Sequence, residues 1–336
     1  MQRILLIRAG RIGDTIFASA AMSALWDYFA GRCVFDWIIS PPCKTLFTYD
    51  QRVTACFVLP HRKIPYHFSA EKKALIKQLQ TAPYDLVINF ETTPYLDSFS
   101  KRLPAKLVLT RPQHVVSPIP ETEHAIVTHL RMLDFLPFTV PYDTAKPCLF
   151  GPVQATLRDK FKLPDNYLIV SPANSQVGKG KIDARAWPPA HWKALLDLLA
   201  TQADFPIVLI GTEQDKVLLE MFGPLPPGVI SLMGKTNLPE LIGVIRDAKG
   251  LIVTDTGTVH MAASVGTPVV GIFGPTNFHQ TGPLMETSKR ILLSPFIPSD
   301  YCDYDPLCPI EAATRRIQPE QVLHAVNTLF PASISA

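Results

Sequence analysis

The stretch LIVTDTGTVHMAAS, Leu251–Ser264, passes from an apolar run through a turn into a helical stretch. Leu251 to Thr254 reads as a strand, since its residues are apolar on both faces, as in a sheet covered on both sides. Gly257 permits a tight turn after Asp255, and the helix that follows begins with free backbone N–H groups aimed back at the strand's end. A strand that leaves through a helix returns in parallel, so this unit predicts a parallel α/β sheet.

The same alternation extends outward from this unit. In the second half, strands are expected at Tyr167 to Ser171, Ile207 to Ile210, Val229 to Leu232, Val269 to Phe273 and Ile291 to Ser294, with helices between them. Thr212 with Asp215 and Asn237 with Glu240 have capping-box spacing, and Pro319 suits the first turn of a last helix running to Phe330. In the first half, Ile4 to Arg8, Val34 to Ser40, Thr54 to Leu59, Asp85 to Phe90 and Lys106 to Leu109 read as strands. Between them, Thr15 to Phe29 sets Ile16, Ala20, Ala24 and Tyr28 on one line, with Gly31 as a stop. Ser69 to Thr81 and Thr122 to Leu136 repeat the helical spacing. Pro137, Pro141, Pro147 and Pro152 then crowd a segment that can neither continue a helix nor sit inside a sheet. The boundary is placed there, giving two α/β domains, residues 1–150 and 151–336, with the last helix a candidate for packing back on the first. Ligands are expected at the carboxyl ends of the strands, in a cleft between the lobes.

Composition narrows the class. At 336 residues the chain suits two domains, and 47% hydrophobic with 18% charged residues is a soluble globular balance. No apolar run approaches the ~20 residues of a transmembrane helix, and Ile4 to Ile7 is too short for a signal peptide's core, so a cytoplasmic address is expected. The six cysteines form no CxxC pair and have no histidine at metal-ligand spacing; reduced thiols are expected, although Cys302 and Cys308 lie close enough in sequence to bridge. Residues 1–150 hold 17 Lys and Arg against 12 Asp and Glu, and the remainder 15 against 17. The first half is therefore the side suited to an anionic partner or acidic lipid, but the excess is too small to imply nucleic acid.

Two nucleotide motifs fail. The turn Gly10-Arg11-Ile12-Gly13 lacks the third glycine of G-x-G-x-x-G, and Asp36 falls within a strand, so NAD is not expected. Gly234-Lys235-Thr236 resembles the end of a P-loop, yet Gly228 is one residue too distant and the intervening VISLM is a strand. Three segments remain. The helix start at Asp255, Thr256, Gly257, Thr258 and His260 is a ready site for phosphate oxygens, or else Asp255 or Thr256 caps the helix and His260 is packed. The loop SPANSQVGKGKIDARAW offers Ser175, Lys179, Lys181 and Arg185, which could clamp a pyrophosphate from its other side or be solvated surface. In RAGRIGDT, Arg8–Thr15, the glycines bend the chain after a strand, the arginines make that edge receptive to an anion, and Asp14 falls at a helix start. A carboxylate there is favoured by the helix dipole without catalytic duty, so this motif alone leaves its role open.

Together, DTGTVHMAASVGTPVVGIFGPTNFHQTGP, the opening ILLIRAGRIGDTIFASAAMSAL, ARAWPPAHWKALLDLL, and GTEQD followed by MGKTNLPELIGVIRDAK resemble the heptosyltransferases, glycosyltransferase family 9. The resemblance spans nearly the whole chain and is weakest from about Val53 to Leu163. It implies a GT-B architecture of two Rossmann-like α/β/α domains with parallel sheets facing a central cleft, the acceptor bound mainly by the first and the nucleotide-sugar by the second. It implies inverting, metal-independent transfer of heptose from ADP-heptose to the inner core of lipopolysaccharide, with no cofactor beyond the donor substrate. Asp14 matches the family's proposed general base and Asp255 a sugar-contacting carboxylate. Thr256, Gly257, Thr258 and His260 match the diphosphate-facing helix start, and Arg185 a position usually held by Lys. Thr236 matches an adenine-contacting backbone position, and Asp215, with Glu213 as the alternative, a ribose-contacting acid.

Ser175 joins the donor-side candidates from the basic loop, and Arg11, Arg62 and Lys63 are the acceptor-side candidates; Lys101, Arg102 and Arg111 lie in the same basic half. The expected partners are the nucleotide-sugar, the lipopolysaccharide core and, peripherally, the cytoplasmic face of the inner membrane, with no nucleic acid. Competing expectations are a GT-B transferase with a different donor, a nucleotide-sugar epimerase or hydrolase, and a non-catalytic ADP-sugar binder.

Overall fold

The computed structural model describes residues 1–60, 62–80, 83–110, 123–172, 185–202, 205–295 and 314–331. The chain divides into two compact units, Met1–Phe150 and Gly151–Ala336.

In the first unit, β1 (Gln2–Arg8), β2 (Cys33–Ile39), β3 (Val53–Val58), β4 (Tyr84–Asn89) and β5 (Ala105–Thr110) form one sheet in the order β3-β2-β1-β4-β5, with every pairing parallel. Among the described residues the α-helices are α1 (Ile12–Tyr28), α2 (Ala70–Leu79), α3 (Pro94–Ser100) and α4 (Ala125–Leu130). Side chains alternate across each strand. Leu5, Ile7, Ile38 and Val87 therefore share a core with Leu75, Ile76 and Leu79 of α2 and Leu96 and Phe99 of α3. Trp37, of opposite parity to Ile38, is fully buried and donates its indole N–H to Met22 Sδ of α1 at 3.4 Å. Both faces are covered, which is why these strands lack polar alternation. Asp36 is part of that interior. Arg3 at 2.8 Å and the Tyr84 hydroxyl at 2.7 Å both donate to its Oδ2, so it is a structural carboxylate rather than a ribose ligand.

In the second unit, α5 (Gln154–Phe161) precedes β6 (Leu168–Ser171), and α6 (Pro189–Gln202) leads to β7 (Ile207–Leu209). The short α7 (Val217–Phe222) precedes β8 (Val229–Ser231), and α8 (Leu238–Arg246) precedes β9 (Gly250–Thr254). Then come α9 (Gly257–Val265), β10 (Val269–Ile272), α10 (Phe278–Thr281), β11 (Arg290–Leu293) and α11 (Pro319–Leu329). The six strands pair in parallel in the order β11-β10-β9-β6-β7-β8. Trp192, Leu195, Leu196 and Leu199 of α6 share one core with Val322 and Val326 of α11 and with Leu168, Val170 and Ile252 of the sheet. The buried face of the last helix thus lies within the second unit. Trp187 anchors the approach to α6 by donating to the Ile317 carbonyl at 2.9 Å, so the W-P stretch is a packing feature.

The strands fall where the apolar runs place them, within a residue or two. The helix boundaries differ more. Helix α1 starts at Ile12 rather than Thr15, and its N-cap is Arg11. The expected helix from Thr122 to Leu136 is an α-helix only over Ala125–Leu130, followed by a 3₁₀ turn, Arg131–Phe135. Helices α3 and α5 are too short to show a periodic face and were not foreseen in the sequence.

Candidate active site

In each sheet the strand order reverses direction at one point, beside β1 and β4 in the first unit and beside β6 and β9 in the second. Crevices at the carboxyl ends of such strands are where open parallel sheets hold ligands. Asp14 and Asp255 lie just past such ends, of β1 and β9.

In the first unit, β1 ends at Arg8 and Asp14 stands in the first turn of α1. The Arg11 backbone N–H donates to Asp14 Oδ2 at 3.0 Å, and Arg8 lies 3.2 Å from Oδ1. Both contacts leave the Asp14 side chain 38% exposed. Gly10 makes this possible, because a Cβ there would lie 2.8 Å from Asp14 Oδ2. Arg8 itself is buried and paired with Glu91 at 3.1 Å, so it corrects the expectation that both arginines of the motif present a receptive edge. Arg11 is exposed, as that expectation requires.

Glu91, just past β4 and fully buried, was missed in the sequence. Its Oε2 lies 3.3 Å from Arg62, which brings that acceptor candidate to the same strand ends. The Arg62 segment is held by Lys72 of α2, whose ammonium donates to the carbonyls of Arg62 at 3.0 Å and Ile64 at 2.5 Å. Burial pushes the Lys72 pKa below its usual value. Lys63 is exposed. Lys101 pairs with Asp97 at 3.0 Å, and Arg102 lies over the Tyr66 ring. Arg111 lies outside the described residues.

In the second unit, Asp255 follows β9, is buried, and accepts a 2.7 Å hydrogen bond from the Thr276 hydroxyl. Arg185, also buried, donates to the Asp255 backbone carbonyl at 3.4 Å. Helix α9 begins at Gly257 with Thr256 as N-cap, no side-chain cap and no acidic residue in its first turn. Three helix starts are closed by carboxylates, Asp14 at α1, Asp215 ahead of α7 and Glu240 at α8, whereas α9, like α5, has neither a side-chain cap nor a first-turn acid. Among the described residues no carboxylate closes the start of α9, and its positive end suits an anion. His260 is buried in the first turns of the same helix, and its carbonyl accepts from Ser264. Thr256 therefore caps α9 by backbone only, and Asp255 is held by Thr276 rather than spent on the helix. Ser175, Lys179 and Lys181 lie outside the described residues, as do Cys302 and Cys308.

The ends of β7 and β8 carry the third group. Asp215 is buried, and its Oδ2 accepts from both the backbone N–H and the hydroxyl of Thr212, at 2.6 and 2.7 Å. Glu213 is 70% exposed at its side chain, pairs with Lys216 at 2.7 Å, and reaches the turn at Gly234. Gly234 has φ +70°, and its N–H donates to the Gly211 carbonyl at 2.9 Å, which brings Thr236 and Glu213 to one rim. Of the two acids, Asp215 caps the turn through its Oδ2, and Glu213 is the more exposed carboxylate, close to Gly234. Thr276 was also unforeseen; its position in the F-G-P-T segment was the only available signal.

Two parallel α/β units with these strand orders define a GT-B fold. The structure of glycosyltransferase family 9 from Veillonella parvula superposes over 98% of this chain and 97% of its own with a TM-score of 0.78, at 18% identity. That of Escherichia coli ADP-heptose lipopolysaccharide heptosyltransferase II covers 98% of both chains with a TM-score of 0.76, also at 18% identity. The model of glycosyltransferase family 9 (heptosyltransferase) matches residues 100–299, and the chain belongs to that family.

Among curated relatives, lipooligosaccharide heptosyltransferase 2 of Haemophilus influenzae is 30% identical over 48% of this chain and 46% of its own. Lipopolysaccharide heptosyltransferase 1 of E. coli is 23% identical over 82% and 88%. The chain thus spans about half the length of the Haemophilus relatives it matches.

Proposed function

We propose that this protein transfers heptose from ADP-heptose to the inner core of lipopolysaccharide, with inversion at the anomeric carbon and without a metal ion. The observation that carries this reading is the start of α9, a helix N-terminus without a side-chain cap, with the buried Arg185 and Asp255 at the same strand end. A nucleotide diphosphate leaving group develops negative charge as its bond to the sugar breaks, and a helix dipole with a fixed guanidinium stabilises such charge. Thr256, Gly257, Thr258 and His260 would face the diphosphate, and Arg185 would meet it with charge-assisted hydrogen bonds. Asp255, oriented by Thr276, would accept from a sugar hydroxyl. Glu213 would accept from the ribose, and the Thr236 backbone would read the adenine.

In the first unit, Asp14 would take the proton from the acceptor hydroxyl as its oxygen attacks the anomeric carbon; the C–O bond forms as the bond to diphosphate breaks. One base and one stabilised leaving group suffice for inversion in a single displacement. Arg11, Arg62 and Lys63 are suited to phosphate or carboxylate groups of the acceptor. The excess of basic residues in this half favours action at the anionic cytoplasmic face of the inner membrane. Among the described residues, no helix is long and apolar enough to cross a membrane.

The test is a transfer assay crossing ADP- and UDP-sugars with truncated lipopolysaccharide acceptors, read by product mass and anomeric configuration. ADP-heptose should be consumed only with acceptor present, and activity should survive chelation. Donor turnover without acceptor would indicate an epimerase or hydrolase, and binding of ADP-sugar with no release of ADP a non-catalytic binder. Asp14→Ala should lower kcat by roughly 10²- to 10⁴-fold, the usual contribution of a placed base.

A further inference from the structure

Asp14 does not stand alone at the end of β1. Its Oδ1 lies 3.2 Å from Arg8, whose second terminal nitrogen lies 3.1 Å from Glu91 Oε1, and Glu91 Oε2 lies 3.3 Å from Arg62. Glu91 is fully buried, and its backbone N–H donates to the Asn89 side chain at 3.0 Å, which fixes its place at the end of β4. Arg8 spans the two strands at the point where the sheet order reverses. A guanidinium can bridge two carboxylates because its nitrogens diverge in a rigid plane, whereas an ammonium offers a single point charge.

We propose that Glu91 is a positioning residue for catalysis, which holds Arg8 so that Arg8 in turn orients Asp14, and which ties the Arg62 segment to the same support. This rests on the reading of Asp14 as the base. Without Glu91, Arg8 would be free to swing and to close both of its arms on Asp14, the wrong arrangement for a base that must meet a substrate proton. Lys72 completes the assembly by fixing the carbonyls of Arg62 and Ile64, so an acceptor that engages Arg62 acts on a segment linked through Glu91 and Arg8 to the base.

Among the described residues, these groups face Asp14. They are Arg8 from β1, Arg11 through its N–H, and the Cys43 thiol from the turn Pro41–Cys43, which interacts electrostatically with both Asp14 and Arg8. Glu91 and Arg62 stand behind Arg8.

The experiment compares the kinetics of folded variants. A merely structural role would lower the yield of folded enzyme without separating kcat from donor KM. With ADP-heptose and acceptor, kcat/KM of Glu91→Gln should fall roughly 10- to 100-fold, as expected for a misplaced base, with donor KM unchanged and partial rescue in Glu91→Asp.

If Glu91→Gln does not fold, Arg8→Lys carries the test: it keeps the charge, cannot bridge, and should show the same loss of kcat. Folded Glu91→Gln with wild-type kcat/KM in a wild-type enzyme that transfers heptose would overturn the proposal. A wild-type protein that transfers no sugar would instead reject the function proposed above.

Discussion

At the scale of single residues, the site depends on close approaches. Gly10→Ala places a Cβ 2.8 Å from Asp14 Oδ2 and must displace the carboxylate. The expected result is a folded protein, by circular dichroism, whose kcat drops roughly 10- to 100-fold. Thr276→Val removes the 2.7 Å donor from the buried Asp255 carboxylate, so stability to urea should fall by ~1 to 3 kcal/mol and the donor KM should rise. The thiols are at the other extreme. Burial pushes Cys33 up to about 11 and Cys56 up to about 12, so neither is a nucleophile at neutral pH. Alkylation of these two at pH 8, followed by mass spectrometry, should be slow in the folded protein and rapid in denaturant.

At the scale of elements, the proposed function gives two neighbouring acids separate duties. Asp215→Ala uncaps the turn at Thr212 and should cost ~1 kcal/mol of stability with little change in donor KM. Glu213→Ala should do the reverse, raising donor KM with an unchanged melting temperature. Lys72 gives a pH signature. Its folded pKa is depressed by burial below the usual 10.5, so in that window the unfolded chain binds more protons than the folded one. Stability from this residue therefore rises as pH climbs through the folded pKa toward 10.5, and it is lowest where the ammonium is charged in both states. Denaturation curves from pH 8 to 10.5 should show this rise in the wild type and not in Lys72→Met.

At the scale of the whole molecule, each unit has its own core: Leu5, Val87 and Phe99 belong to one, and Trp192, Ile252 and Val326 to the other. Domains with separate cores can in principle fold alone. Residues 151–336 expressed by themselves should give a cooperative thermal transition and bind ADP by calorimetry, whereas residues 1–150 should bind none. Loss of ADP binding in a folded second fragment would remove the donor site from that unit.

The sequence by itself determined the parallel sheets. Runs such as Ile4 to Arg8 and Leu251 to Thr254 are apolar on both faces, and such strands are stable only when helices cover both sides. The proline-rich segment from Pro137 marked the boundary because proline excludes both helix and sheet. Helix ends were less legible, since Ile12 and Gly13 join α1 through a cap from Asp14 that propensity does not reveal.

Candidate residues in motifs, Asp14, Arg185, Asp255 and Thr256 among them, could be named from position after a strand. Their partners could not. Glu91 lies 83 residues from Arg8 and Thr276 21 from Asp255, and no spacing rule links them. The difference in burial between Glu213 and Asp215 is likewise not legible, because both fit the same short segment. Local sequence sets backbone periodicity and turns; which charges meet depends on strand order in the folded sheet, and that is where Asp14 acquires its support.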